Sequence, residues 1–236
     1  MLNEILLIFA LIITYSLVLI FHKLFGKQGL YTWTVIATIS ANIEVLILVH
    51  AFGMEMTLGN ILFASNFLVT DILSELYGKK EADLAVNLGI ATSFVFILIS
   101  QSWLLYQPSP GDWASPSIHQ IFENTPRVML ASFLVYAICQ RFDVWMYHKW
   151  WELTTEKFGN TDHFLWLRNN ASTMLSQLLN TVFYTFGAFL GLYDLSTLVQ
   201  ICFSSYVIFI VTSLADTPFI YLARHFYNKS TGKMQE

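Results

Sequence analysis

The sequence predicts an all-α polytopic membrane bundle of seven spans. Three observations predict it. Hydrophobic residues fill 56% of the 236 positions and charged residues only 12%, where a soluble domain carries roughly 25% charge. Mean hydropathy is +0.56. Apolar stretches of about 20 residues, long enough to cross ~30 Å of hydrocarbon, can be drawn seven times along the chain.

The spans fall at 4–21, 31–50, 57–77, 84–106, 125–147, 169–190 and 196–222. The first lacks a basic leader and a small-residue cleavage site, and Lys23 and Lys27 follow it, so it reads as a retained helix. Residues 1–30 hold this first helix with its loop, and 31–236 the remaining spans with the tail. Pro126 suits the first turn of the fifth span. The loop 107–124 is rich in Pro and Ser. The segment around Trp150, Trp151 and Trp166 mixes indoles with charges and is expected at headgroup level.

Charge placement supports the count. Of the 12 Lys and Arg residues, eleven fall within two turns of the end of alternate spans or in the segments that follow them: Lys23, Lys27, Lys79, Lys80, Arg141, Lys149, Lys157, Arg168, Arg224, Lys229 and Lys233. Loops 51–56, 107–124 and 191–195 contain none. The positive-inside rule then puts the N-terminus outside and the C-terminus in the cytoplasm. Arg127 is the exception, read either as a snorkelling interfacial arginine or as an inward-facing cation that attracts substrate.

Polar residues inside the spans mark the candidate site. The third span carries Asn66, Thr70, Asp71, Ser74 and Glu75. A carboxylate at that depth costs on the order of 2.5–3.5 kcal/mol, which favours a functional role. The sixth span aligns Asn169, Thr173, Gln177 and Asn180 on one helical face. Asn42 and Glu44 lie in the second span, and Asp216-Thr217-Pro218 in the seventh. Lipid offers these groups no hydrogen-bond partner, so their faces point into the bundle. The opposing reading makes the hydroxyls interhelical glue worth ~0.6 kcal/mol each, with Asp71 paired to Arg141. Glu75 lies four residues before Lys79 and reads as a boundary ion-pair member rather than a ligand.

Carboxylates accept from N–H groups, while Asn and Gln donate and accept. A planar, hydrogen-bond-rich base or vitamin fits such a lining, with Phe67, Phe183 and Tyr184 available for stacking. Cys139, Cys202 and the six histidines show no disulfide or metal-ligand spacing, and no cofactor is implied. A pI near 5.8 with dispersed lysines gives no nucleic-acid footprint.

The run TDILSELYGKKEA at Thr70–Ala82, together with R-N-N-x-S-T-M-x-S-Q-L at Arg168–Leu178, resembles the queuosine precursor transporter family, also described as vitamin-uptake-transporter-like. Asn42, Arg127, the run Ala131–Ala137, Gln140 and Asp143 share the resemblance, which covers roughly residues 31–222. Asn180 stands where many relatives carry Asp, and the first helix extends a six-helix core. The resemblance implies a secondary-type transporter, not an enzyme, in a bacterial inner membrane, importing 7-deazaguanine bases such as 7-cyano-7-deazaguanine.

On that implication, Asp71, Asn66, Gln177 and Asn180 bind the base, with Asn42 and Thr70 beside them. Arg127 guards the outer entrance, and Glu44 and Asp216 serve gating or coupling. The partners expected are the small-molecule base and the lipid bilayer, with a homodimer left open. The alternatives are another vitamin or nucleobase as cargo, a substrate-binding subunit of an energy-coupled uptake complex, and an intramembrane aspartyl protease using Asp71 and Asp216.

Overall fold

The computed structural model describes residues 2–123, 126–159 and 164–232. Eight helices and one hairpin make up the described residues: α1 (Leu2–Phe25), α2 (Lys27–Glu44), β1 (Leu48–Ala51), β2 (Met54–Thr57), α3 (Asn60–Tyr77), α4 (Lys79–Trp103), α5 (Ser115–Phe122), α6 (Pro126–Phe158), α7 (Leu165–Phe189) and α8 (Leu195–Ser230). The seven long helices fall on the seven predicted apolar spans. By length and composition, α1, α4, α6 and α8 are apolar enough to cross a membrane. The helices α2, α3 and α7 carry more polar residues, and α3 and α7 turn these inward.

Helix α3 is the axis of the bundle, packed against α1, α2, α4, α6 and α8. Every residue from Ala64 to Ser74 is buried. Its core includes Leu68, Ile72 and Leu73, which cluster with Tyr15 and Val18 of α1, Trp33 of α2 and Ile220 of α8. The first helix is thus part of this core, and its Tyr15 hydroxyl donates to the Thr212 carbonyl at 3.2 Å. The opposite character shows on the bundle's outer surface, where Ile5, Phe9, Leu98, Leu130, Phe203 and Leu214 are exposed. Such a belt of apolar side chains suits lipid contact.

Three segments differ from the sequence-based expectation. The second span was expected to run to residue 50, but α2 ends at Glu44 and 48–57 form an antiparallel hairpin with Leu48 opposite Thr57. Its turn residues Phe52 and Gly53 have φ of 53° and 74°, the pattern of a type I′ turn. A continuous apolar run does not distinguish a helix end from a short strand, which explains the overrun. The expected loop 107–124 contains α5, with Asp112 accepting from the Ala114 and Ser115 amides at 2.8 and 3.1 Å. Helix α6 continues past the expected end at 147 to Phe158.

The hairpin is anchored on α1. Asn3 Nδ2 donates to the His50 carbonyl at 2.9 Å, and the Phe52 amide donates to Glu4 Oε1 at 3.3 Å. The N-terminus of α1, the hairpin, the C-terminus of α7 and the N-terminus of α8 therefore share one end of the bundle. At the other end, Lys27 pairs with Glu81 at 3.0 Å, His22 meets Tyr77, and Tyr77 packs on Tyr227. Arg168 and Arg224 also lie there, and Arg127 lies at the hairpin end.

Candidate functional site

A cavity of about 770 Å³ opens into the hairpin half of the bundle. Its walls come from α2, α3, α4, α6, α7, α8 and the hairpin. Asn42, Asn66, Asn180 and Thr181 give it polar groups, and Phe63, Tyr136, Tyr184 and Phe209 give it aromatic surface. The polar groups are only partly used by the protein. Asn42 Nδ2 donates to the Thr38 carbonyl at 2.8 Å, which leaves its Oδ1 without a partner. Asn66 is 1% exposed, and neither its amide nitrogen nor its amide oxygen is bonded. Leaving a buried polar group unpaired costs about 1–3 kcal/mol, so a pair of such atoms on a cavity wall marks a place where a ligand supplies the bonds.

The cavity is shaped by a close approach at Gly89 of α4. A Cβ there would overlap the Tyr136 hydroxyl, so glycine lets the ring lie flat against α4. Phe63 then packs edge-on to Tyr136, with ring centroids 6.0 Å apart.

Beneath this cavity lies a layer of buried carboxylates. Helix α7 presents Asn169, Thr173, Ser176 and Gln177 on one face because these positions recur at three- and four-residue spacing. Thr173 Oγ1 donates to Asp71 Oδ2 at 3.1 Å, Ser176 Oγ to Asp143 Oδ1 at 3.0 Å, and Asn169 Nδ2 to Asp216 Oδ1 at 2.6 Å. Thr70 Oγ1 meets Gln140 Oε1 at 3.5 Å. Asp71, Asp143 and Asp216 are at most 1% exposed. Gln177 is fully buried with both side-chain amide atoms unbonded.

A third level closes the far end. Glu75 Oε1 and Oε2 receive Arg168 Nη2 and Nε at 2.7 and 3.0 Å. Tyr147 donates to Glu75 Oε2 at 2.8 Å, and Arg224 Nη1 lies 3.5 Å from Oε1. The Arg168 guanidinium sits over the Trp151 ring at 4.3 Å. Four helices, α3, α6, α7 and α8, are tied at this point. Glu75 is therefore not a surface partner of Lys79: its side chain is 4% exposed and its ion pair crosses the bundle. Nor does Asp71 pair with Arg141, whose guanidinium reaches Asn87 at 3.1 Å.

Of the sequence-derived candidates, Asn42, Asn66 and Asn180 meet on the cavity wall, and Thr70, Asp71, Gln177 and Asp216 lie in or beside the carboxylate layer. Glu44 is partly exposed at the end of α2, off the cavity wall, and its backbone carbonyl accepts from the Ile47 and Gly59 amides. Arg127 is exposed and donates to the Gly187 and Leu190 carbonyls at 3.2 and 2.7 Å. It thereby satisfies carbonyls at the end of α7. Tyr136, Ser176 and Arg168 were not singled out as site residues. Arg168 and Ser176 had a signal, since both stand in the motif Arg168–Leu178 on the polar face of the sixth span, and Tyr136 lies in the run Ala131–Ala137; Arg168 reads from charge placement as a positive-inside residue.

The comparisons agree with this architecture. Residues 57–223 match the family described as "Putative vitamin uptake transporter". A protein of Bacillus subtilis (strain 168), named "Probable queuosine precursor transporter", is 39% identical over 217 residues, which cover 92% of this chain and 93% of that protein. No solved structure matches the chain. The matched region holds the central helix, the carboxylate layer and the closing ion pair, and the chain accordingly belongs to this vitamin uptake transporter family, as a membrane transporter and not an enzyme.

Proposed function

We propose that the chain is a secondary transporter that imports queuosine precursors, 7-deazaguanine bases such as 7-cyano-7-deazaguanine, across a bacterial cytoplasmic membrane. The observation that carries this reading is the pair of unbonded amide atoms of Asn66 on the cavity wall, opposite Asn180 and beside aromatic rings. A deazaguanine presents adjacent donors and acceptors on one planar edge, and an amide answers both. The cavity volume falls in the usual range for a small-molecule site. The name of the Bacillus subtilis relative supports the same cargo.

In this reading the seven long helices all cross the bilayer. The hairpin end faces outward and the Glu75–Arg168 end faces the cytoplasm, in keeping with the concentration of basic residues there. Helix α1 packs into the common hydrophobic core but lies outside the six-helix transport unit of residues 31–236. Asn42, Asn66 and Asn180 hold the base. Asp71 and Gln177 form the floor beneath it, with Thr70 and Asp216 alongside. Arg127 and Glu44 stand near the rim and steady helix ends. Import requires the Glu75–Arg168 closure to part while the hairpin half narrows.

Another vitamin as cargo is the second reading, favoured by the family description. The two separate by equilibrium binding to the purified chain in nanodiscs. Saturable binding of 7-cyano-7-deazaguanine, at least tenfold weaker in Asn66→Ala, supports the assignment. Absence of binding by the folded wild-type chain ends it.

A further inference from the structure

Asp71 and Asp143 are brought together by three independent contacts. Thr173 and Ser176, one turn apart on α7, hold Asp71 and Asp143 respectively at 3.1 and 3.0 Å. Thr70, the residue before Asp71, meets Gln140, three residues before Asp143, at 3.5 Å. These contacts make the two carboxyl groups neighbours across the α3–α6 interface. Each is fully buried, and each retains one oxygen, Asp71 Oδ1 and Asp143 Oδ2, without a hydrogen-bond donor. Gln140, also fully buried, keeps its Nε2 unbonded beside them.

Among the described residues the nearest cation, Arg168, is paired with Glu75 one turn along α3. The charged groups acting on Asp71 are Asp143, Asp216 and Glu75, all of the same sign. The remaining titratable neighbours are Tyr15 of α1, Tyr147 of α6 and, beside Asp143, Cys139. Helix α7 contributes the neutral Thr173 and Ser176. Two neighbouring buried carboxylates strongly disfavour being ionised together, and the arrangement that satisfies both orphaned oxygens is one proton between them.

We propose that Asp71 and Asp143 form a proton-binding site, holding a single proton between their facing carboxyl oxygens, and that this proton is the ion coupled to base import. The coupling half of this statement rests on the transport reading above; the proton site itself does not. The site lies one turn below Asn66, so base binding and proton binding sense the same segment of α3. A proton entering from the hairpin end is held between Asp71 and Asp143 and leaves once the Glu75–Arg168 closure opens. Buried carboxylates facing a bundle interior commonly serve as such relays.

The test uses the full chain purified at pH 7 without substrate. Its infrared spectrum shows a protonated-carboxyl C=O band that disappears in Asp71→Asn and in Asp143→Asn and survives in Asp216→Asn. A wild-type spectrum without the band, or a band lost only in Asp216→Asn, overturns the site. In proteoliposomes carrying a pH-sensitive dye, adding 7-cyano-7-deazaguanine outside acidifies the lumen as the base enters. Base uptake driven by sodium with no acidification overturns the coupling. A band present with no uptake of the base counts for the proton site and against the cargo assignment, so the two failures are distinguishable.

Discussion

Glu75 of α3 and Arg168 of α7 form a two-pronged ion pair through the centre of the bundle, with Nη2–Oε1 at 2.7 Å and Nε–Oε2 at 3.0 Å. Both side chains are withdrawn from solvent. Tyr147 and Arg224 close the remaining positions around the carboxylate, and Trp151 covers the guanidinium face. The pair therefore holds shut the end of the bundle opposite the cavity.

Removing one partner strands the other. Arg168→Gln is expected to destabilise the purified protein by about 3–5 kcal/mol, because an uncompensated buried charge is left behind. Glu75→Gln combined with Arg168→Gln recovers part of that loss, since contacting residues are not additive. Thermal unfolding of the single and double variants in detergent checks this. Additive losses would mean that the two side chains are not coupled.

Gly89 sets the position of Tyr136. Gly89→Ala places a methyl group where the Tyr136 hydroxyl packs and displaces that ring toward the cavity. The expected outcome is a stability cost of about 1–3 kcal/mol from overpacking, with weakened base uptake. Tyr136→Phe in the same chain removes the closest colliding atom and restores part of both, while Tyr136→Leu, which also removes the ring carbons at 2.7 and 2.9 Å, restores more of the stability. Uptake and thermal melts on the three variants decide it; an unaffected Gly89→Ala would contradict the packing account.

Asn66 separates stability from function. Its two unbonded amide atoms lie almost fully buried, and unpaired buried groups cost about 1–3 kcal/mol. Asn66→Leu, which keeps the same branched heavy-atom skeleton without the polar atoms, is expected to raise the melting temperature of the ligand-free protein while abolishing base binding. A variant that loses stability along with binding would show that Asn66 serves the fold rather than a ligand.

Much of this site is legible in the sequence because lipid makes polar residues conspicuous. Asn66, Asp71, Gln177 and Asn180 stand out in apolar spans, and the structure places all four in or beneath the cavity half of the bundle. Glu75 is misread for a definite reason. The pairing of residues four apart holds only within one helix, and α3 ends at Gly78, whose φ of 90° breaks it from α4. Lys79 thus belongs to a different helix, and Glu75 turns to Arg168, 93 residues away. Such a partner leaves no trace in local spacing. The hairpin escaped for a related reason: its first strand opens with Leu48-Val49, which continue the apolar run Val45-Leu46-Ile47 at the end of α2. The contact between Tyr136 and Gly89 joins α6 to α4 and is set by tertiary packing alone.

The most direct test of the transport claim is salvage in living cells. A bacterial strain unable to make 7-deazaguanines and lacking its own uptake route is supplied with this chain and fed 7-cyano-7-deazaguanine at low concentration. The account predicts that queuosine reappears in its tRNA, and that Asn66→Leu, produced at the same level in the membrane, leaves the tRNA unmodified. Wild-type protein present in the membrane while the tRNA stays unmodified would contradict it.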